Sequence, residues 1–86
     1  MGEWKEEKKA LIKTFTFGSF TEAIEFVRLV AAEAERIQHH PDMRISYTAV
    51  EMILSTHDAG DITEKDRELA KIIDVVYDKQ YEKQGA

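Results

Sequence analysis

The three histidines of this 86-residue chain, His39, His40 and His57, all fall in IQHHPDMRISYTAVEMILSTHD, the stretch from Ile37 to Asp58 that also holds the only proline, Pro41. Imidazole has an unperturbed pKa of about 6.5, so its acid and base forms coexist near neutrality and proton transfer is the first chemistry these residues suggest. Glu35 stands four residues before His39; on one helical face that spacing lets the carboxylate hold the ring in one tautomer. A second option is a metal, since the three histidines with Asp58 or Glu35 would supply enough ligands for zinc. Adjacent histidines on a helix, however, project about 100° apart and do not share an ion as pairs spaced by three or four do. We therefore expect no metal. The remaining alternative is that His39 and His40 are polar residues at a helix end and His57 one at a strand end; spacing alone leaves it open.

Other chemistries find less support. Ser19, Ser46 and Ser55 lack the setting of a nucleophile elbow, and there is no glycine-rich phosphate loop, which sets hydrolase and nucleotide-binding readings aside. Without cysteine there is neither a thiolate nucleophile nor a disulfide frame. A net charge of −5 with no Lys/Arg cluster argues against direct nucleic-acid binding. The lysines of KEEKK alternate with glutamates and read as a solvated, partly frayed segment. Phe15, Phe17, Phe20 and Phe26 are spaced as strand and helix core rather than as a stacking platform for bases. The opening MGEWKEEKKA lacks the apolar core of a signal peptide, Glu6 stands where a myristoylation signal has Ser or Thr, and no apolar run is long enough to span a bilayer. The expectation is one cytoplasmic domain, residues 1–86, that does not engage a membrane.

The elements that must position the histidines can be read from changes of period. ALIKTFTF, residues 10–17, puts Leu11, Phe15 and Phe17 on one face, interrupted by Lys13, and predicts a strand, paired with a short one around Trp4. Ser19 and Glu22 have capping-box spacing, and from Phe20 the apolar positions Ala23, Ile24, Val27, Val30, Ala31, Ala34 and Ile37 form a helical stripe. Phe26 and Leu29 widen it, as a second buried face would. Pro41 must end this helix by His40, placing His39 and His40 at its carboxyl end, where protonated imidazole is favoured. MRISY and AVEMILST predict a hairpin turning at Tyr47 to Ala49, with Val50, Met52 and Leu54 on one face. HDAGD is a turn, and Thr63 with Asp66 again has capping-box spacing before a helix to about Tyr81. The order strand, helix, two strands, helix suits an α+β two-layer sandwich: an antiparallel four-stranded sheet with helices packed on one face.

The motifs EAERIQHHPD, Tyr47, LSTHDAG and TEKD together resemble the pterin-4a-carbinolamine dehydratase family, over a span from about Trp4 to Val76. The resemblance implies dehydration of 4a-hydroxytetrahydropterin to quinonoid dihydropterin, in tetrahydrobiopterin recycling, with no cofactor or metal and a small-molecule pterin as substrate. It implies that His39, His40 and His57 are the active-site histidines. Gln38 to His40 and Ser55, Thr56, His57 and Asp58 then match substrate-contacting segments, and Glu35, Asp66 and Tyr47 support them. Asp66 is open to two readings, helix cap or support for the site, since three residues after Thr63 is also the spacing of a capping box.

The sequence departs from the family pattern at Gln38, where animal members carry an acid, at Met43, where a tryptophan is common, and at Asp61, often a glycine. Asp61 is expected at a turn position that Asp tolerates better than most residues. The resemblance also implies a homodimer or homotetramer. A non-catalytic alternative is an interaction module, since animal members act as dimerisation partners of a homeodomain transcription factor; for either association Phe26 and Leu29 would supply the exposed apolar helix face.

Overall fold

The structure, a computed structural model, describes the backbone of residues 3–85 and side chains as far as residue 80. Alternation in ALIKTFT produces the expected strand, β2 (Ala10–Thr16), which buries Leu11 and Phe15. Its partner near Trp4 is β1 (Lys5–Glu7), joined to it by a two-residue turn at Lys8 and Lys9, both at positive φ. KEEKK is therefore solvated as expected but not frayed: it is an edge strand and a tight hairpin turn of the kind that matches strand twist. Lys13, the interruption on the buried face, sends its ammonium to Asp74 at 2.8 Å, and the Trp4 indole N–H donates to the same carboxylate.

Helix α1 (Phe20–Ile37) begins where Ser19 Oγ accepts the Glu22 N–H, while the Glu22 carboxylate takes the Gly18 N–H one residue earlier than a full capping box would. Its fully buried residues are Ala23, Phe26, Val30 and Ala34. The core stripe is thus centred on Phe26, and Ile24 and Ala31 lie outside it, exposed. The reason is aromatic: Phe26 meets Phe15, Phe17 and Tyr77 with ring centroids 4.9, 5.0 and 5.8 Å away. Phe26 accordingly supplies no exposed face for a partner.

The hairpin forms as expected from β3 (Asp42–Ser46) and β4 (Ala49–Leu54), with Tyr47 in the turn at φ 51°. β4 pairs with both β2 and β3, giving the order β1-β2-β4-β3, antiparallel throughout. Val50, Met52 and Leu54 point to the helices and are buried; Met43 packs against that core from the edge strand. After the turn at 57–60, helix α2 (Glu64–Gly85) buries Leu69, Ala70 and Ile73 against the same sheet face and runs past the expected end near Tyr81. The architecture is the α+β arrangement of four antiparallel strands and two helices. No helix among the described residues is long and apolar enough to cross a membrane.

Candidate active site

The end of α1 sets the geometry of the first two histidines. Gln38 takes the left-handed conformation (φ 55°, ψ 43°), its N–H donates to Glu35 O, and the His39 N–H donates back to Ala34 O at 3.1 Å. These two bonds are a Schellman motif, usually built on glycine. Gln38 offsets the missing glycine with a side-chain bond of its own, Nε2 to Glu35 O at 2.7 Å. The reversal has a chemical result. His39 no longer continues the helical face, so the expected Glu35–His39 pair does not form; Glu35 bonds His40 Nε2 instead, on the exposed side.

His39 turns inward, and its Nε2 lies 2.5 Å from Asp66 Oδ1 at the start of α2. Asp66 is wholly buried. Its second oxygen, Oδ2, accepts the Thr63 backbone N–H at 2.9 Å and the Thr56 hydroxyl at 2.8 Å. The two readings of Asp66 are therefore both met: one oxygen caps the helix while the other holds a histidine. Burial pushes the Asp66 carboxyl up, but hydrogen bonds from His39, Thr63 and Thr56, with the favourable electrostatics of the His39 contact, outweigh it and hold the carboxyl below its usual range.

Thr56 closes the cluster from the sheet side. It lies just beyond β4, bridged to Asp61, and its hydroxyl is also 2.6 Å from that of Thr63. Three elements meet here: the end of α1, the end of β4 and the start of α2. The neighbouring Ser55 donates its hydroxyl to Lys9 O, tying the strand end to the first hairpin. His57 and Asp58 follow in the turn, exposed, and their side chains make no hydrogen bond or ion pair among the described residues. The left-handed position of that turn is Gly60 (φ 64°) rather than Asp61, whose carboxylate accepts the Ile62 N–H instead.

The sequence-predicted residues Glu35, Gln38, His39, His40, Ser55, Thr56, His57, Asp58 and Asp66 thus fall at one end of the sheet. Tyr47 does not: it sits at the tip of the β3–β4 hairpin, at the opposite end of both strands, and is 75% exposed. Thr63 was legible only as a helix start, because its hydroxyl contact with Thr56 crosses a turn that spacing cannot fold. Among the described residues no group of three His, Cys, Asp or Glu side chains is arranged to hold a metal ion.

This arrangement can hold one imidazole in a fixed tautomer beside a second, exposed imidazole–carboxylate pair, which suits proton transfer on a small molecule. Known proteins bear on which molecule. A family model described as "Pterin 4 alpha carbinolamine dehydratase" matches residues 1–76. A protein of Thermomicrobium roseum is 47% identical over 68 residues, 79% of this chain and 73% of that one. One from Sulfolobus acidocaldarius is 47% identical over 73 residues, 85% and 80% of the two chains. Each carries the name "Putative pterin-4-alpha-carbinolamine dehydratase". Among solved structures, a transcriptional coactivator/pterin dehydratase from Brucella melitensis aligns with a TM-score of 0.83 at 29% identity, covering 86% of this chain and 81% of its own. A pterin dehydratase-like protein identified as a RuBisCO assembly factor in the alpha-carboxysome aligns with a TM-score of 0.72 at 25% identity, over 87% of each chain.

Proposed function

The chain belongs to the pterin-4a-carbinolamine dehydratase family, and we propose that it dehydrates 4a-hydroxytetrahydropterin to quinonoid dihydropterin in the cytoplasm, within tetrahydrobiopterin recycling. The observation that carries the reading is the buried Asp66–His39 pair, set where α1, β4 and α2 meet. An ionised carboxylate only accepts hydrogen bonds, so the His39 ring donates through Nε2–H and keeps Nδ1 as its basic nitrogen. In the reaction the carbon 4a–oxygen bond breaks as the hydroxyl takes a proton and leaves as water. The neighbouring ring nitrogen gives up its proton, and its electron pair forms the new double bond to carbon 4a.

One donor and one acceptor suffice, and imidazole serves both at neutral pH. In this proposal His39 and His57 exchange protons with the ring nitrogen and the leaving hydroxyl, while His40, held by Glu35, positions the pterin. Gln38, Ser55 and Asp58 line the substrate-contacting rim. Freshly generated 4a-hydroxytetrahydropterin followed by absorbance tests the reading: the protein should accelerate its decay, and decay at the spontaneous rate would sink it. In the same assay His57→Ala should lower turnover more than it weakens binding of a dihydropterin product analogue.

Self-association is part of the proposal. An open apolar groove of about 730 Å³ runs between the helices, lined by Leu29, Ala32, Ile72, Val75 and Val76. Glu25, Arg28 and Glu33 rim it on α1, where the acids pair with Arg28 and Arg36, and Lys71 and Lys79 rim it on α2. A second copy related by a two-fold axis would cover this apolar floor with the same surface of its own, as an isologous interface does.

A further inference from the structure

We propose that the hydroxyls of Thr63 and Thr56 are positioning groups for catalysis, forming a one-way chain that fixes Asp66 and, through it, the orientation of the His39 ring. The inference rests on the dehydratase reading of this site. Its basis is the bookkeeping of donors. Asp66, ionised, has no proton to give, so the 2.8 Å contact is Thr56 donating to Oδ2. A hydroxyl has one proton; with that of Thr56 committed, the 2.6 Å contact between the two hydroxyls is Thr63 donating to Thr56. The direction is then fixed from end to end: Thr63 to Thr56 to Asp66 Oδ2, with His39 Nε2–H arriving at Oδ1 from the other side.

This changes the place of Thr56. Its hydroxyl donates to Asp66 and accepts from Thr63, so in this proposal it holds the site together instead of touching the pterin. Its backbone is engaged as well: the N–H donates to Asp61 O, and its carbonyl accepts from Ala59 and Gly60. Thr63 likewise does not spend its hydroxyl on capping, since the Asp66 and Arg67 N–H groups donate to its carbonyl. Two hydroxyls that neither touch substrate nor cap a helix thus converge, directly and through one another, on the carboxylate that grips His39. A carboxylate held on both oxygens cannot rotate away from the ring, and proton transfer depends steeply on such placement.

Valine has the shape of threonine without the hydroxyl, and serine keeps the hydroxyl, so the four single variants separate packing from hydrogen bonding. In the native protein, nitrogen-15 and proton NMR of neutral His39 should show the Nε2–H tautomer with a slowly exchanging ring proton. Thr56→Val and Thr63→Val should lose that slow exchange and lower kcat roughly tenfold, a fraction of the ~10²–10⁴ that acid–base catalysis contributes. KM should change less than about twofold, because neither hydroxyl faces the substrate. Thr56→Ser and Thr63→Ser should restore both signals. A native His39 in the Nδ1–H tautomer would overturn the proposal without any variant. So would folded valine variants with the ring proton still protected. If the native protein fails to accelerate dehydration, the function falls, and the ring-proton measurement still decides whether these hydroxyls position His39.

Discussion

Asp66 has three donors on two oxygens, and they differ in what they protect. Asp66→Asn keeps the shape but adds an N–H pair where only acceptors fit. If the amide oxygen keeps Thr63 and Thr56, its nitrogen must face His39 and force the ring into the opposite tautomer. We expect kcat to fall by roughly 10²–10⁴, and stability at neutral pH to drop by about 1–3 kcal/mol. The sign of the pH dependence follows from the lowered carboxyl pKa. A group whose folded pKa is depressed contributes stability above its unfolded value, about 3.9, and loses it as pH falls through the folded value. Denaturant unfolding of both proteins should therefore show a gap that is wide at neutral pH and closes below about pH 4. A gap of the same size at both ends would mean that ionised Asp66 is not what stabilises the fold.

The element whose conformation most directly sets the site is the last turn of α1. Gln38 holds a left-handed conformation that costs a side chain with a β-carbon about 1–2 kcal/mol, and β-branching makes that region worse. Gln38→Val also removes the Nε2 bond to Glu35 O. The variant should lose about 1 kcal/mol of stability from the missing hydrogen bond, more from the branching, and a larger share of activity than of fold, because the same reversal that ends the helix turns His39 toward Asp66. Unfolding curves and turnover measured side by side check this; a stability loss with full activity would separate the cap from the site. The role of Gln38 in this chain is local, a helix end closed without glycine.

For the whole molecule the division between core and surface decides how association is tested. Phe26, fully buried among Phe15, Phe17 and Tyr77, is unsuitable as a probe: Phe26→Glu would put a charge into the core and unfold the chain. Val75, half exposed on the groove, is the informative position. Val75→Glu should leave the circular dichroism spectrum and unfolding midpoint of the dissociated chain close to native, while light scattering shows the mass falling to that of one chain. An unchanged mass distribution would remove the helical groove as the interface. The sheet's outer face offers no comparable position: its apolar residues are Ala10, Ile12, Ala49 and Ile53, all buried or partly buried among polar neighbours.

Local order in the sequence determined the elements: period two in ALIKTFTF and AVEMIL, helical period from Phe20, and Pro41 and Gly60 as breaks. With them came the α+β fold, and the motifs around His39, His40 and His57 carried the family. These signals are local because the backbone reads them over a few residues at a time. The partners of the histidines were not legible in the same way. Spacing put Glu35 beside His39, and a left-handed residue at Gln38 moved it to His40. The family resemblance made Tyr47 a neighbour of the site, and strand direction carried it to the far end of the sheet. Asp66 and Thr63 looked like a helix start, and only the meeting of α1, β4 and α2 gave them His39 and Thr56. A hydrogen bond needs its atoms within about 3 Å, and across 27 residues of chain, the separation of His39 and Asp66, only tertiary packing can set that distance.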